Sequence, residues 1–320
     1  MARYIIKRLL ITIPVIVCVA IIVFTLLHLA PGDPAEMILG ANATEVQLDA
    51  QREILGINKP FIAQLGDFLY GVFIKFDLGE SWFYKTNITD ELANRMPKTA
   101  AICLYSVLIG AIIGIPLGIA AAVNQNTRLD KFVLFFSSVL VCIPHFCIAL
   151  LLIVQFSLKM NLLPAYGTGG LEYYILPCVS IMIGSFSGIT RLMRSCMLEV
   201  IRSDFVISAR AQGFSKGYVY YRRALPNALI PIITILGTQF AAGLGGTLIL
   251  ETIFSIPGVG LYIQGGISKR DYPVVTGSVV FLAILFCLIM LAIDVLYAYA
   301  DPRIKAQYVA KVRRRQKAHD

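Results

Sequence analysis

Six stretches of this chain run without a formal charge for the length of a membrane crossing, or close to it: residues 9–30, 99–127, 132–158, 173–190, 224–250 and 272–293. A helix needs about 20 consecutive, mostly apolar residues to cross a bilayer. One or two such runs fit inside a soluble core, but six in 320 residues do not. The fourth is the shortest and the most polar. Composition agrees, with 58% hydrophobic and 15% charged residues, against about 45–50% and 25% in soluble domains. The chain therefore reads as an all-α polytopic membrane protein with six transmembrane helices. The first run follows Arg3, Lys7 and Arg8 but exceeds the roughly 7–15 apolar residues of a signal peptide, so it reads as a span.

The charges orient the spans. With the N-terminus inside, the inner segments hold 19 lysines and arginines and the outer ones 9, as positive-inside sorting requires. Both termini are then cytoplasmic. The net charge of +9 follows from this sorting, with the tail from Lys311 to Lys317 lying against anionic lipid, so nucleic acid is not an expected partner. Of the seven cysteines, all but Cys196 fall in apolar runs, and neither a disulfide framework nor a zinc pattern is present.

Three regions are expected along the chain: 1–98, a first span plus an external cap loop; 99–300, a five-helix core; and 301–320, a basic cytoplasmic tail. In the cap loop Pro31-Gly32-Asp33-Pro34 ends the first helix, and a glycine- and aromatic-rich stretch runs from Phe76 to Tyr84. Gly110, Gly114 and Gly118 recur at every fourth position of the second span, a stripe that lets another helix approach closely. Pro116, Pro144, Pro177 and Pro231 fall inside spans, each removing a helical hydrogen bond and allowing a bend.

The cytoplasmic loop at 199–226 is the most informative segment. It reads as two short helices around a turn. Phe205, Ala209 and Gly213 fall at i, i+4 and i+8, giving one apolar, small-residue face. Gly213 suits a left-handed helix end and Ser215 can cap the next helix, which runs to Leu225-Pro226, where the chain re-enters the membrane. A short helix of this kind outside the bilayer fits a groove on a partner; the plainer reading is a loop resting on the membrane surface.

The stretch Ser208-Ala209-Arg210-Ala211-Gln212-Gly213, followed by Leu225-Pro226, resembles the "EAA" loop of ABC importer permeases. Ser208 stands where that pattern has glutamate and Arg210 where it has its second alanine, a variant similar to the permeases of the peptide and nickel systems. The opening residues through Pro31-Gly32-Asp33-Pro34, Leu55-Gly56, Asp77-Leu78-Gly79, the run from Glu251 to Gly260, Arg270 to Val275, and Asp301-Pro302-Arg303 extend the resemblance over nearly the whole chain. It implies the type I ABC importer permease fold and a place in the bacterial inner membrane. It also implies a second similar permease, two ABC ATPase subunits carrying ATP and Mg, and an external solute-binding protein. The expected cargo is di- or oligopeptide, with nickel or a metal chelate as the alternative. Phe205, Ala209, Arg210, Ala211, Gly213, Leu225 and Pro226 are then the ATPase-coupling residues. No substrate-binding residue is assigned. With no G-x-x-x-x-G-K-[ST] loop, the chain is not expected to be an enzyme or to bind a cofactor.

Rival chemistries are weakly represented. Gly184-Ser185-Phe186-Ser187-Gly188 has phenylalanine where a serine elbow has its nucleophile. Asp294 is an acid inside a span, read as an interhelical contact. Cys142, His145 and Cys147 read as packing around Pro144, with no metal site expected. An ATPase-independent channel would not need the loop at 199–226.

Overall fold

The computed structural model describes residues 2–40 and 42–300; the expected basic tail lies outside them. Among the described residues there are helices and a single isolated bridge, Glu80 to Asn87, but no strands. The helices are α1 (Ala2–Leu29), α2 (Pro34–Leu39), α3 (Glu45–Leu55), α4 (Phe61–Tyr70), α5 (Ile88–Val123), α6 (Arg128–Val141) and α7 (His145–Leu152). They continue with α8 (Glu172–Ile201), α9 (Asp204–Ala211), α10 (Lys216–Tyr218), α11 (Leu225–Gly246), α12 (Leu248–Ile253), α13 (Val259–Lys269) and α14 (Tyr272–Ala300).

Five helical stretches are long and apolar enough to cross a membrane, and six if a bent pair counts as one span. That pair covers the expected third span and is bent at Pro144, one of the prolines read as allowing a bend: α6 and α7 meet at 93°. Pro144 has an extended ψ of 138° and has no N–H to continue the helical ladder. The other prolines behave differently. Pro14, Pro177 and Pro231 remain inside continuous helices, as does Pro116 in α5. The fourth span is longer than its apolar run, because α8 continues past Arg191 and Arg194 to Ile201.

The chain divides into two compact units that do not follow chain order. One comprises the residues up to Ala101 with Tyr166–Thr168 and Leu244–Cys287. Its core includes Ile88, Leu92, Val259, Tyr262, Val274 and Val275. Two buried carboxylates organise it. Glu251, 1% exposed, accepts hydrogen bonds from the Thr99 hydroxyl (2.7 Å), the Thr247 hydroxyl (2.9 Å) and the Leu261 amide (3.0 Å). Thr99 in turn accepts from the Val259 amide at 2.9 Å. Side chains thus satisfy amides at the start of α13 that have no partner within the helix. Gly258 leaves room for this: a Cβ there would lie 2.5 Å from both Glu251 and Thr99. Asp271 accepts from the Ser81 hydroxyl (2.5 Å) and the amides of Trp82 (3.0 Å) and Phe83 (3.2 Å).

The segment between the first two spans holds α2 to α4 with a π-helical end, and its Val72 is buried in one cluster with Ile16, Ala20 and Val280. Asp33 caps α2 through the Ala35 amide and accepts from Arg52 Nε at 2.7 Å. The hydrogen bonds to Asp33 and Asp49 raise the Arg52 pKa above its ordinary value.

The second unit comprises Ile102–Ala165, Gly169–Gly243 and the described residues from Leu288. Here the glycine stripe of α5 lies against α8. A Cβ on Gly118 would sit 2.6 Å from Met193 Cβ and 2.7 Å from the Thr190 carbonyl oxygen, whereas one on Gly110 would find nothing nearer than 3.3 Å. Gly118→Ala should therefore cost about 1–3 kcal/mol through overpacking, against a helix-propensity gain of about 1 kcal/mol. Gly110→Ala should be close to neutral. Thermal unfolding in detergent checks the contrast, and equal midpoints for the two variants would contradict this packing.

Candidate functional site

The segment from α8 to α11 is built on a serine turn. Ser203 has extended backbone (φ −72°, ψ 151°) at the start of α9, and its hydroxyl donates to the Val200 carbonyl at 2.6 Å. Asp204 opens α9 and Arg210 lies in its last turn, the placement that complements the helix dipole. Gly213 follows with φ +86°, and its amide donates to the Arg210 carbonyl at 3.0 Å. Ser215 then caps α10 through the Tyr218 amide.

The helix that runs to Leu225-Pro226 continues through them into the next span. From Lys216 the helix widens into a π-helical stretch, Val219–Ala224, and continues into α11. Leu225 is half-buried and Pro226 exposed near the start of this continuing helix. Pro226 can make no amide bond back into the preceding turn, and the π turn falls where that irregularity must be absorbed. The Asn227 side chain donates to the Arg223 carbonyl at 2.9 Å.

The expected common face of Phe205, Ala209 and Gly213 is also corrected. Ala209 turns inward together with Val206, whereas Phe205 is 44% exposed and Gly213 is open to solvent. A helix of 3.6 residues per turn puts i and i+3 on one side, so α9 divides into three stripes. Val206 and Ala209 are buried against Met193, Cys196 and Met197 of α8, with Val219, Ala224 and Ala228 in the same core. Ile207 and Arg210 flank a shallow hollow. Phe205, Ser208 and Gln212 are exposed. Ala211 is exposed as well, and beyond the turn Phe214 stacks on Tyr218 with ring centres 5.1 Å apart. Arg210 donates to the Tyr220 hydroxyl at 2.7 Å. The result is a knob whose inner side shares one core with α5, α8 and α11 and whose outer side is aromatic and exposed, as at interaction surfaces.

One anchor of this region escaped the sequence reading. Arg194 of α8 donates to Asp130 at the start of α6 through two hydrogen bonds, Nε to Oδ1 at 2.6 Å and NH2 to Oδ2 at 2.7 Å. Asp130 is 2% exposed and also accepts from the Asn126 amide at 2.9 Å. An unbroken apolar count hides such a pair, because Arg191 ends the run and Arg194 lies beyond it while the helix continues.

The serine, cysteine and histidine side chains that rival chemistries would use make local contacts to carbonyl oxygens. Ser187 donates to the Ile183 carbonyl within α8. The Cys142 thiol donates to the Ser138 carbonyl, and His145 Nδ1 lies 3.3 Å from the Ser180 carbonyl oxygen. No group of three or more His, Cys, Asp or Glu among the described residues could hold a metal ion.

Residues 114–306 match the model of the binding-protein-dependent transport system inner membrane component, and residues 1–103 match that family's N-terminal region. The chain is 36% identical to the dipeptide transport system permease of Alkalihalophilus pseudofirmus, over 95% of this chain and 100% of that protein. It is 34% identical to the glutathione transport system permease of Salmonella typhimurium and 35% to a putative peptide transport system permease of Brucella abortus, each over 95% of this chain and 99% of the relative. Among solved structures, the inward-facing MetNI methionine ABC transporter matches with a TM-score of 0.58 and 20% identity, over 67% of this chain and 97% of that one. That likeness is one of fold. This chain belongs to the family of inner-membrane components of binding-protein-dependent transport systems, the permease subunits of ABC importers, and is a multi-pass protein of the bacterial plasma membrane.

Proposed function

We propose that this chain forms half of the translocation path of an ATP-driven importer of short peptides. A second similar permease supplies the other half, two ABC ATPases that bind ATP and Mg sit against the cytoplasmic side, and an external solute-binding protein delivers the cargo. The observation that carries the ATPase contact is the exposed stripe of α9, Phe205, Ser208 and Gln212, held by the buried Val206 and Ala209. Because the knob is fixed to α5, α8 and α11 through one core, a partner that pulls on it moves those spans rather than a loose loop. An ATPase that binds the two arrangements of the permease unequally then biases the equilibrium between them. On this reading the N-terminus is cytoplasmic and the α2–α4 body faces outward, where the binding protein docks. The peptide names of the relatives support the cargo class, and no observation favours nickel.

Deletion of this chain from its host should abolish ATP-dependent uptake of a labelled dipeptide, and the restored gene should return it. Unchanged uptake in the deletion would overturn the peptide assignment. Solute flux through the purified chain alone in liposomes, without ATPase subunits, would favour a channel instead.

A further inference from the structure

We propose that the hollow between the ends of α5 and α8 and helix α9 binds the headgroup phosphate of an anionic phospholipid. The hollow has a volume of about 390 Å³. Its walls include Val123, Leu198, Ile201 and Ile207, and its polar groups include Arg202 and Arg210. Among the described residues, no carboxylate lines it. Two guanidinium groups from different helices thus flank one concavity without an acid to neutralise them there. Arg202 spends one donor on the Gln125 side chain (3.2 Å) and Arg210 one on the Tyr220 hydroxyl (2.7 Å). A guanidinium has five donors, and its planar fork matches phosphate oxygens.

The position of the hollow selects a lipid. The apolar run of α5 ends at Val123, itself a wall residue of the hollow, and is followed by Asn124-Gln125-Asn126-Thr127. The hollow therefore opens where the chain passes from hydrocarbon to headgroup depth, and basic pockets between spans at that depth take anionic headgroups. A free phosphate would leave the four apolar wall residues wet, whereas the glycerol and first acyl carbons of a phospholipid cover them. The α9 stripe used here, Ile207 and Arg210, lies beside the Phe205, Ser208 and Gln212 stripe offered to a protein partner, and its Arg210 is one of the residues that the family resemblance assigns to ATPase coupling. The inference does not depend on what is transported, and its test survives failure of the peptide reading.

The test is native mass spectrometry of the protein as purified from its membrane in mild detergent, supplied with equal amounts of phosphatidylglycerol and phosphatidylcholine. Retention of phosphatidylglycerol should exceed that of phosphatidylcholine by roughly thirtyfold, the scale expected for two arginines at a headgroup. Arg202→Gln and Arg210→Gln should each remove most of that preference. Leu198→Trp, which fills the hollow without changing charge, should lower phosphatidylglycerol retention as well. Should the Trp variant fail to elute as a single species, Arg202→Gln, on the exposed rim, decides alone. Equal retention of the two lipids, or wild-type retention in the arginine variants, would overturn the proposal. So would displacement of the lipid by an equal concentration of inorganic phosphate, which would make the hollow a free-anion site. Retention that appears only after ATPase subunits are stripped away would assign the hollow to that partner and overturn it too.

Discussion

A Gly213→Asp variant should reach the membrane at wild-type levels and yet lose ATP-dependent uptake. The chain itself tolerates the change. Gly213 is exposed, and nothing lies within 4 Å of a Cβ built on it. Its φ of +86° is a conformation that Asp and Asn adopt more readily than other side chains, at a cost of about 1–2 kcal/mol. A partner seated on α9 would be far less tolerant, because a carboxylate buried without a counter-charge costs about 3–5 kcal/mol. That corresponds to a loss of about two to four orders of magnitude in affinity. Three readings check this: membrane abundance unchanged, ATPase co-purification reduced, uptake lost. Gly213→Asn separates charge from bulk, since it keeps the shape and removes the carboxylate, and it should retain a substantial share of uptake. Full uptake by the Asp variant would sink the assignment of this turn to ATPase docking.

Asp130→Ala should be among the most destabilising single changes in the second unit. The Asp130 side chain is 3% exposed and that of Arg194 19%, so removing the carboxylate strands a guanidinium with little water and leaves the Asn126 amide without its acceptor. Breaking a buried pair from one side costs about 3–5 kcal/mol, whereas replacing both partners with apolar groups of similar volume is often near neutral. The double variant Asp130→Leu with Arg194→Met should therefore recover much of what Asp130→Ala loses. Thermal unfolding in detergent, followed by size-exclusion elution, measures both. If Asp130→Ala unfolds at the wild-type temperature, the ion pair contributes nothing to holding α6 on α8.

The spans were legible in the sequence because hydrocarbon imposes a length on any helix that crosses it. Their ends were not. The second apolar run begins at Thr99, yet α5 begins at Ile88 and carries Pro97 within it; the fourth ends at Thr190, yet α8 runs to Ile201. Charge stops an apolar count, but helix propensity and packing continue past it, and Arg194 continues because Asp130 meets it. Pro144 and Pro226 are equally silent in sequence, and only the neighbouring turn decides that one breaks a helix and the other does not. In the loop, the glycine turn and the serine cap were readable from local chemistry alone. The buried face was not, since Val206 rather than Phe205 turns inward only in the presence of Met193 and Met197. The motifs around Glu251 and Asp271 stood out by resemblance, but their physical work depends on Thr99 and Ser81, far away in the chain.

That distance has a consequence for how the protein is made. Ser81 and Asp271 are 190 residues apart, and Thr99 and Glu251 are 152 apart. At a synthesis rate of about 5–20 residues per second, the earlier member of the first pair waits roughly 10–40 s for its partner to be made. The unit that contains the beginning of the chain is therefore completed almost last. Throughout that interval the early spans must be held in the membrane with their polar knots still open, exposed to proteases and to wrong neighbours. A ribosome that stalls before Asp271 leaves behind inserted helices that cannot close, which is a form that membrane quality control can recognise and remove.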